Sequence, residues 1–175
     1  MPKVIKDLRN NILSVSKDEL FNKGYKELNM RNIAKRTNTA VGTIYNYFNS
    51  KEILVASIIL EDWYKSTDEI KSVTDRALSI EEGLKGILKA ISSFYSLYGS
   101  VFQNSGLPNI KITYPDKYEM LNKGISEEII KLMNKFNSSY DDFEITFIVS
   151  NIFSSVTNNW PLEQTINILN KIIKE

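Results

Sequence analysis

The sequence predicts an all-α chain of about nine helices, in which a bundle of three N-terminal helices precedes a larger helical domain. Only 4 Pro and 7 Gly interrupt the 175 residues. β-Branched residues never alternate cleanly with polar ones, whereas apolar residues recur at spacings of three and four along almost the whole chain. With 42% hydrophobic and 25% charged residues, the chain can bury a core and is not disordered by composition.

The first 50 residues are expected to form three helices. The first runs from residue 2 or 3 to about 22, and Gly24 ends it in a left-handed C′ conformation. Asn29 is a good N-cap for a short helix over about 30–37, and a tight turn at 38–40 leads to a second short helix over about 41–47. The residues of the first helix that we expect to face inward are Ile5, Leu8, Ile12, Val15, Leu20 and Phe21.

Longer helices are expected in the remainder of the chain. Ser50 caps a helix that continues toward Val73, and Gly106 and Pro108 indicate a loop over 103–110. Pro115 suits the first turn of a later helix. The other expected helices are 80–98, 115–136, 141–158 and 162–173. We therefore expect a domain boundary at residue 50, with one domain over 1–50 and the second over 51–175.

Composition excludes several classes of function. The chain has no cysteine and no histidine, which removes disulfides, thiol catalysis, Cys/His zinc sites and histidine acid–base chemistry. We expect neither a metal nor a cofactor. No apolar run approaches the roughly 20 residues that span a bilayer, and Met1-Pro2-Lys3 leads into a polar helix rather than a signal peptide. A cytoplasmic protein without membrane contact is the expectation.

Charge is distributed unevenly along the chain. Residues 1–54 carry ten Lys/Arg and five Asp/Glu, whereas the remainder carries twelve Lys/Arg and sixteen Asp/Glu. A basic end joined to an acidic body is typical of a nucleic-acid-binding head with a separate second domain. Chance variation on a solvated surface would give the same pattern, so the charge is only suggestive.

Residues 29–52 have the pattern of a helix–turn–helix. Ile33 and Ala34 form the inner face of the first short helix, and Asn38 falls at a turn position that requires a positive φ, which Asn tolerates. Ile44 and Phe48 place the second short helix on the same core. The opposite face of that helix carries Val41, Gly42, Thr43, Tyr45, Asn46 and Tyr47.

This face has the chemistry of a DNA-recognition helix. Gly42 costs roughly 1 kcal/mol of helix propensity against Ala, which close approach to a nucleic acid would explain. Hydroxyls of Thr43, Tyr45 and Tyr47 can bond phosphate oxygens. Lys51 lies in the first turn of the next helix, where free N–H groups already favour a phosphate. The alternative is an ordinary helical hairpin with a solvated polar face.

The segment from Gly24 to Leu54 resembles the TetR family of bacterial transcriptional regulators. The residues that carry the resemblance are Gly24-Tyr25, Ile33-Ala34, Gly42-Thr43, Ile44-Tyr45, Tyr47-Phe48 and Ser50-Lys51-Glu52. The resemblance implies that this element binds DNA. The expected operator-facing residues are Arg31, Val41, Gly42, Thr43, Tyr45, Asn46, Tyr47 and Lys51.

Three turn residues depart from the family pattern. Asn38 replaces the usual Gly, Thr39 replaces a small apolar residue, and Ala40 replaces the Ser or Thr cap. Loss of that cap would cost the recognition helix about 1 kcal/mol. None of the three changes is expected to break the fold.

The second domain is rich in aromatic residues, since 14 of the 19 lie after residue 54. Core packing explains most of them. The family resemblance implies an effector pocket between the fourth helix and its successors, and an apolar pocket suits a small hydrophobic or aromatic effector. The aromatic candidates are Trp63, Phe94, Tyr95, Tyr98, Phe102, Tyr114 and Tyr118. Polar candidates are Ser92, Ser96, Gln103 and Asn104.

The last two helices carry broad apolar stripes. The resemblance implies that this pair forms a four-helix bundle with a second copy in an isologous homodimer. Alternatively, both helices cover the core of their own domain. The candidate interface residues are Ile145, Val149, Ile152, Phe153, Val156, Leu162, Ile166, Leu169 and Ile173.

Taken together, the residues and the resemblance predict a ligand-responsive transcriptional repressor that binds a palindromic operator as a dimer. One alternative is a DNA-binding regulator or architectural protein without an effector. A helical enzyme is a remote alternative, because the acidic pairs (Glu81-Glu82, Glu127-Glu128 and Asp141-Asp142) are adjacent in sequence and point to different helix faces. We expect these acids to lie in the first turns of helices.

Overall fold

The computed structural model describes residues 7–104 and 115–173 and contains eight α-helices and no strand in these ranges. This confirms the all-α prediction. The helices are α1 (Leu8–Glu27), α2 (Met30–Arg36), α3 (Val41–Tyr47), α4 (Lys51–Arg76), α5 (Ile80–Asn104), α6 (Pro115–Lys135), α7 (Asp142–Thr157) and α8 (Leu162–Ile172). None of these eight is long and apolar enough to cross a membrane.

Two boundaries differ from the sequence prediction. Gly24 interrupts α1 with φ 80° and ψ 167°, a conformation that only glycine adopts readily. The helix is therefore kinked there instead of being closed by a left-handed C′ residue. Helix α5 continues to Asn104, so Gln103 and Asn104 are helical and do not begin the expected loop.

The chain divides into two compact units, and the division falls inside α4 rather than at residue 50. Of the described residues, the first unit contains 7–62 and 99–104, and the second contains 63–98 and 115–173. The first half of α4 belongs with α1 because ion pairs join the two helices. These pairs are Arg9 with Glu61 at 2.6 Å and Lys17 with Asp62 at 2.5 Å.

The first unit buries one face of each of its helices. The register of α1 is set by Ile12 and Leu20, which are both at most 1% exposed. Phe21 follows Leu20 by about 100° around the helix and is 38% exposed, contrary to the prediction that it faces inward. The Lys17 ammonium lies 5.8 Å from the centre of its ring. Other buried members of this core are Leu13, Leu28, Met30, Ile33, Ala34, Ile44, Phe48, Leu54, Val55, Ile58 and Ile59.

Two glycines of α5 allow close helix packing in the second unit. A Cβ added at Gly83 would collide with Leu132 of α6, and one added at Gly86 would collide with Val73 of α4. Helix α5 therefore approaches both neighbours more closely than an alanine would permit. Buried residues of this unit include Ile70, Leu84, Ile87, Leu88, Ile91, Ile125, Ile129, Leu132, Ile148, Ile152, Ile166 and Leu169.

Candidate nucleic-acid interface and ligand cavity

Local hydrogen bonds fix the helix–turn–helix of α2 and α3. The Asn29 side chain accepts from the backbone N–H of Arg31 at 2.8 Å, as expected of an N-cap. Asn38 has φ 53°, and the N–H of Thr39 donates to the carbonyl of Ala34 at 2.9 Å. Ala40 precedes α3 without a side-chain cap. The turn therefore holds the conformation that the sequence predicts, and α3 begins without the bond that a Ser or Thr would supply.

Helix α3 buries one side and exposes the other. Ile44 is fully buried and Phe48, which follows the helix, is 2% exposed. Tyr45 and Tyr47 are 45% and 46% exposed. Gly42 and Asn46 are also exposed, whereas Val41 and Thr43 are half-buried. The structure therefore turns outward the face that we proposed for DNA.

Packing within the chain does not explain the glycine at position 42. A Cβ added there would meet no atom within 4 Å, and the backbone φ is not positive. An alanine would fit and would favour the helix by roughly 1 kcal/mol. Neither packing nor backbone conformation in the described part of the chain therefore requires glycine at this position.

The basic side chains of the first unit fall into two groups, those that form ion pairs with other described residues and those that do not. Arg9, Lys17, Lys23 and Arg36 all pair with carboxylates of α1 or α4. The bond to Asp18, 2.7 Å long, is the main reason that the pKa of Arg36 is raised. The pairs of Arg9, Lys17 and Arg36 join different helices of the unit, whereas that of Lys23 lies within α1.

Arg31 and Lys35 belong to a second group. They lie four residues apart on α2, are exposed, and take part in no ion pair of the described residues. Arg31 is among the operator-facing residues predicted from the sequence, and Lys35 is not. The spacing of four, which places both on one helix face, is the signal that could have found it.

Lys51 is anchored by the protein itself. Its Nζ donates to the carbonyl of Lys26 at 3.1 Å and lies 4.3 Å from the centre of the Tyr25 ring. Burial lowers the pKa of the ammonium. The neighbouring Glu52 accepts from the Tyr25 hydroxyl at 2.8 Å, and hydrogen bonds led by that from Ser50 lower the pKa of the carboxyl. Lys51 thus joins the end of α1 to the start of α4, and one of its three donors is already committed.

Three predicted pocket aromatics pack against one another in the second unit. Trp63, Phe94 and Tyr98 are 4%, 9% and 0% exposed. Ring centres are 5.0 Å apart for Trp63 and Phe94, and 5.1 Å apart for Phe94 and Tyr98. They fill the core in this structure. Tyr95 is half-buried, whereas the side chains of Phe102 and Tyr118 and the whole of Tyr114 lie outside the described residues.

A cavity of about 390 Å³ lies between α6 and α7. Among the described residues, Phe153 connects it to the aromatic cluster, since its ring stacks on Trp63 with centres 6.4 Å apart. The sequence analysis missed this cavity, although hydroxyl residues at 146, 150, 154 and 157 mark one face of α7. The lining residues are Asn122, Ser126, Thr146, Val149, Ser150, Phe153, Ser154 and Thr157.

Most of the residues proposed for a dimer interface are buried within their own chain. Phe153, Leu162 and Ile173 are only half-buried, whereas the others are 7% exposed or less. This corrects the expected stripe, because α7 is apolar on more than one side and the domain core takes the larger side. The buried candidates are Ile145, Val149, Ile152, Val156, Ile166 and Leu169.

Other apolar side chains of α7, α8 and the turn between them remain exposed. Phe143, Phe147, Trp160 and Ile168 are 73%, 39%, 49% and 59% exposed. They offer the apolar surface that a partner helix could cover.

Acidic residues of these adjacent pairs make hydrogen bonds that stabilise helices. Asp141 caps α7 in a reciprocal capping box with Glu144. Glu127 and Glu128 lie in the interior of α6, contrary to the first-turn expectation, and Glu128 accepts from the hydroxyl of Thr74 at 2.6 Å. In the described ranges, no three acidic side chains are grouped as metal ligands would be.

Comparison with known proteins agrees with this geometry. Residues 12–58 match the family model of bacterial regulatory proteins of the tetR family. No curated protein matches the chain by sequence. The fatty acid degradation regulator FadR from Bacillus halodurans is 19% identical with a TM-score of 0.62, and the match covers 95% of this chain and 94% of FadR. A TetR-family regulator from Haemophilus influenzae is 20% identical with a TM-score of 0.60, covering 97% of both chains.

RolR is a third similar structure. It is 14% identical with a TM-score of 0.67 in its complex with resorcinol, and the match covers 95% of this chain and 86% of RolR. At these identities the likeness shows the fold. The matched family model describes bacterial regulatory proteins, and the proteins from Bacillus halodurans and Haemophilus influenzae are both described as regulators.

Proposed function

We propose that this chain is a DNA-binding regulator of the TetR family that acts as a repressor, binds a palindromic operator as a homodimer and is released by a small effector. The main support for this proposal is the exposed face of α3. Buried Ile44 fixes the orientation of the helix, two tyrosines are about half exposed, and Gly42 is a glycine that packing within the chain does not require. Such a helix enters the major groove with its N-terminal residues toward base edges.

The proposed contacts divide into two kinds. Arg31, Lys35 and the remaining donors of Lys51 bind phosphates, which set the position of the protein but not its sequence preference. The face of α3 reads the groove. Its proposed contact residues are Val41, Gly42, Thr43, Tyr45, Asn46 and Tyr47.

Binding to the DNA upstream of the gene tests this assignment. We expect Tyr47→Ala to weaken binding by about 10- to 100-fold, the cost of one good groove contact. Tyr64→Ala is the matched control, because Tyr64 is 49% exposed on α4, outside the proposed DNA face. No binding by the wild-type protein at low salt, or equal losses in both variants, would contradict the proposal.

A salt series separates the phosphate contacts. Arg31→Ala and Lys35→Ala should each reduce the slope of log affinity against log salt by about 0.9. Arg9→Ala is the control, since Arg9 is committed to Glu61. A slope that does not change in either α2 variant rules out these two contacts.

The proposed dimer uses the exposed apolar side chains of α7 and α8. Two-fold symmetry would place two copies of α3 on half-sites about 34 Å apart. We expect Phe147→Glu with Ile168→Glu to give a monomer in sedimentation, and Leu78→Glu to leave the dimer intact, because Leu78 is 84% exposed outside these helices. A dimer that survives the double change contradicts this surface.

The effector part of the proposal concerns the second unit. A ligand that binds one conformation more tightly shifts the population toward it, and operator affinity falls if that conformation binds DNA poorly. Helix α4 begins at Lys51, directly after the DNA-binding segment, and carries Trp63 of the aromatic cluster. That RolR is seen with resorcinol supports a small ring compound as effector. If no small molecule changes operator affinity or the melting temperature, the regulator works without an effector.

A further inference from the structure

The cavity between α6 and α7 is lined mainly by uncharged polar side chains. Six of its eight lining residues carry a hydroxyl or an amide, and none is charged. Its volume, about 390 Å³, lies at the lower end of the range for small-molecule sites, roughly 300–1,000 Å³. The lining offers an ionic ligand no opposite charge. The lining therefore favours a small neutral ligand.

Three of the five hydroxyl groups that line this cavity have already donated their proton to a helix carbonyl. Ser126 donates its only proton to the carbonyl of Asn122 at 3.0 Å, and Thr146 donates to the carbonyl of Asp142 at 2.8 Å. The hydroxyl of Thr157 likewise donates to the carbonyl of Ser154. A hydroxyl has one proton and two lone pairs, so these oxygens can only accept from a ligand.

Asn122, which also lines the cavity, has an acceptor without a hydrogen-bond donor among the described residues. Its Oδ1 is buried and has no hydrogen-bond partner in the described part of the chain. A buried acceptor left without a donor costs about 1–3 kcal/mol. A ligand donor would remove that cost once the Asn122 side chain turns toward it.

An apolar patch completes the site. Val149 and Phe153 line the cavity beside the hydroxyls, and Phe153 is held by its stacking on Trp63. The flat face of a ring can pack on the Phe153 ring while hydroxyl groups at its edge donate to the acceptors.

We propose that this cavity binds a neutral ring compound that carries at least two hydroxyl donors. The proposal that the cavity binds a ligand depends only on the geometry of the cavity. The proposal that this ligand is the effector rests on the proposed function. Unlike the apolar pocket expected from the sequence, this site would select its ligand by the ligand's hydrogen-bond donors as well as by its ring.

Calorimetry with matched probes tests the ligand class. We expect hydroquinone or myo-inositol to bind with one site per protomer, and 1,4-dimethoxybenzene, which has the ring but no donor, to bind at least tenfold more weakly than hydroquinone. Benzoate tests the exclusion of anions. Equal binding of hydroquinone and its dimethyl ether, or no binding of either hydroxylated probe, overturns the proposal.

Variants locate the site. Ser126→Ala with Thr146→Val removes two acceptors with little change of shape and should weaken the bound probe at least tenfold. Thr67→Val is the matched control, because its hydroxyl also donates to a helix carbonyl, that of Tyr64 at 2.7 Å, away from the cavity. In a Trp160→Phe background, Trp63 is the sole tryptophan, and its emission should change with myo-inositol. Equal losses in the control and the double variant overturn the site.

Operator binding separates this proposal from the proposed function. A probe that binds the cavity without changing operator affinity leaves the site intact and overturns its effector role. Operator binding that responds to other compounds, with no hydroxylated probe bound, overturns the cavity proposal and leaves the repressor.

Discussion

Helices α3 and α7 both have one buried and one exposed side, yet only for α3 did the sequence identify which was which. In α3 the inward Ile44 is isolated among polar and small residues, so one orientation alone buries it. In α7 apolar residues occur on both sides, from the buried Ile148 and Ile152 to the exposed Phe143 and Phe147. A sparse apolar pattern fixes a helix face, whereas a dense one leaves several faces competing for the core.

The largest expected effect tests the core assignment of α7. Ile152→Ala should lower the free energy of unfolding by about 2–5 kcal/mol, because a fully buried isoleucine leaves a cavity when truncated. Denaturant unfolding at several protein concentrations measures this separately from dimer dissociation. Ile44→Ala is the corresponding change in α3 and should cost a similar amount. If Ile152→Ala weakens the dimer but leaves the free energy of unfolding of the monomer unchanged, the assignment of this face of α7 to the core is wrong.

Gly86 and Gly42 allow a comparison between a glycine required by packing within the chain and one that we attribute to DNA binding. Gly86→Ala should destabilise the second unit by about 1–3 kcal/mol, because its Cβ collides with Val73. Gly42→Ala meets open space and should stabilise the protein by up to about 1 kcal/mol while weakening operator binding. Thermal unfolding and a DNA-binding titration check both. A Gly42→Ala variant with full operator affinity would remove the evidence for close DNA approach.

A cap at α3 should produce a moderate gain. Ala40 provides no side-chain acceptor for the first N–H groups of the helix, so Ala40→Ser should raise the unfolding free energy by about 1 kcal/mol. Ala40→Val, which like alanine lacks a side-chain acceptor, is the control in chemical denaturation. If Ala40→Ser is no more stable than the wild type, the start of α3 is already satisfied in another way.

The smallest expected effect is a pH dependence of the first unit. Hydrogen bonds lower the pKa of Glu52 below its ordinary 4.5, so the unfolded state binds the proton more readily. This contribution is complete above about pH 4.5 and is lost as the pH falls through the folded-state pKa. The melting temperature of Glu52→Gln should therefore fall less than that of the wild type as the pH is lowered below about 4.5. The exposed Glu69→Gln should show the same fall as the wild type. Identical acid profiles for wild type and Glu52→Gln would contradict this.

The sequence predicted more of the first unit than of the second. The bounds of α3, the Asn29 cap and the positive φ of Asn38 all agree with the structure, because short-range chemistry decides them. The anchoring of Lys51 on the carbonyl of Lys26 was missed. That contact joins residues 25 apart in the chain and depends on how α1 meets α4.

The cavity was missed for the same reason. Its walls come from two helices, and the hydroxyl residues of α7 acquire meaning only when Asn122 and Ser126 of α6 stand opposite them. Trp63, Phe94 and Tyr98, which the family resemblance offered as pocket residues, pack against one another in the core instead. Whether aromatic rings enclose a space or fill it depends on distances of an ångström or two, which no spacing rule contains.

The sequence alone therefore predicted most of the helix bounds, the helix–turn–helix segment and its outward face, because helix periodicity, capping and turn chemistry act between residues a few positions apart. Only the tertiary structure decided which apolar face of α7 became core, which basic residues were committed to ion pairs, and where a polar cavity remained. These outcomes arise from competition between surfaces distant in the chain, and packing is the step that selects among them.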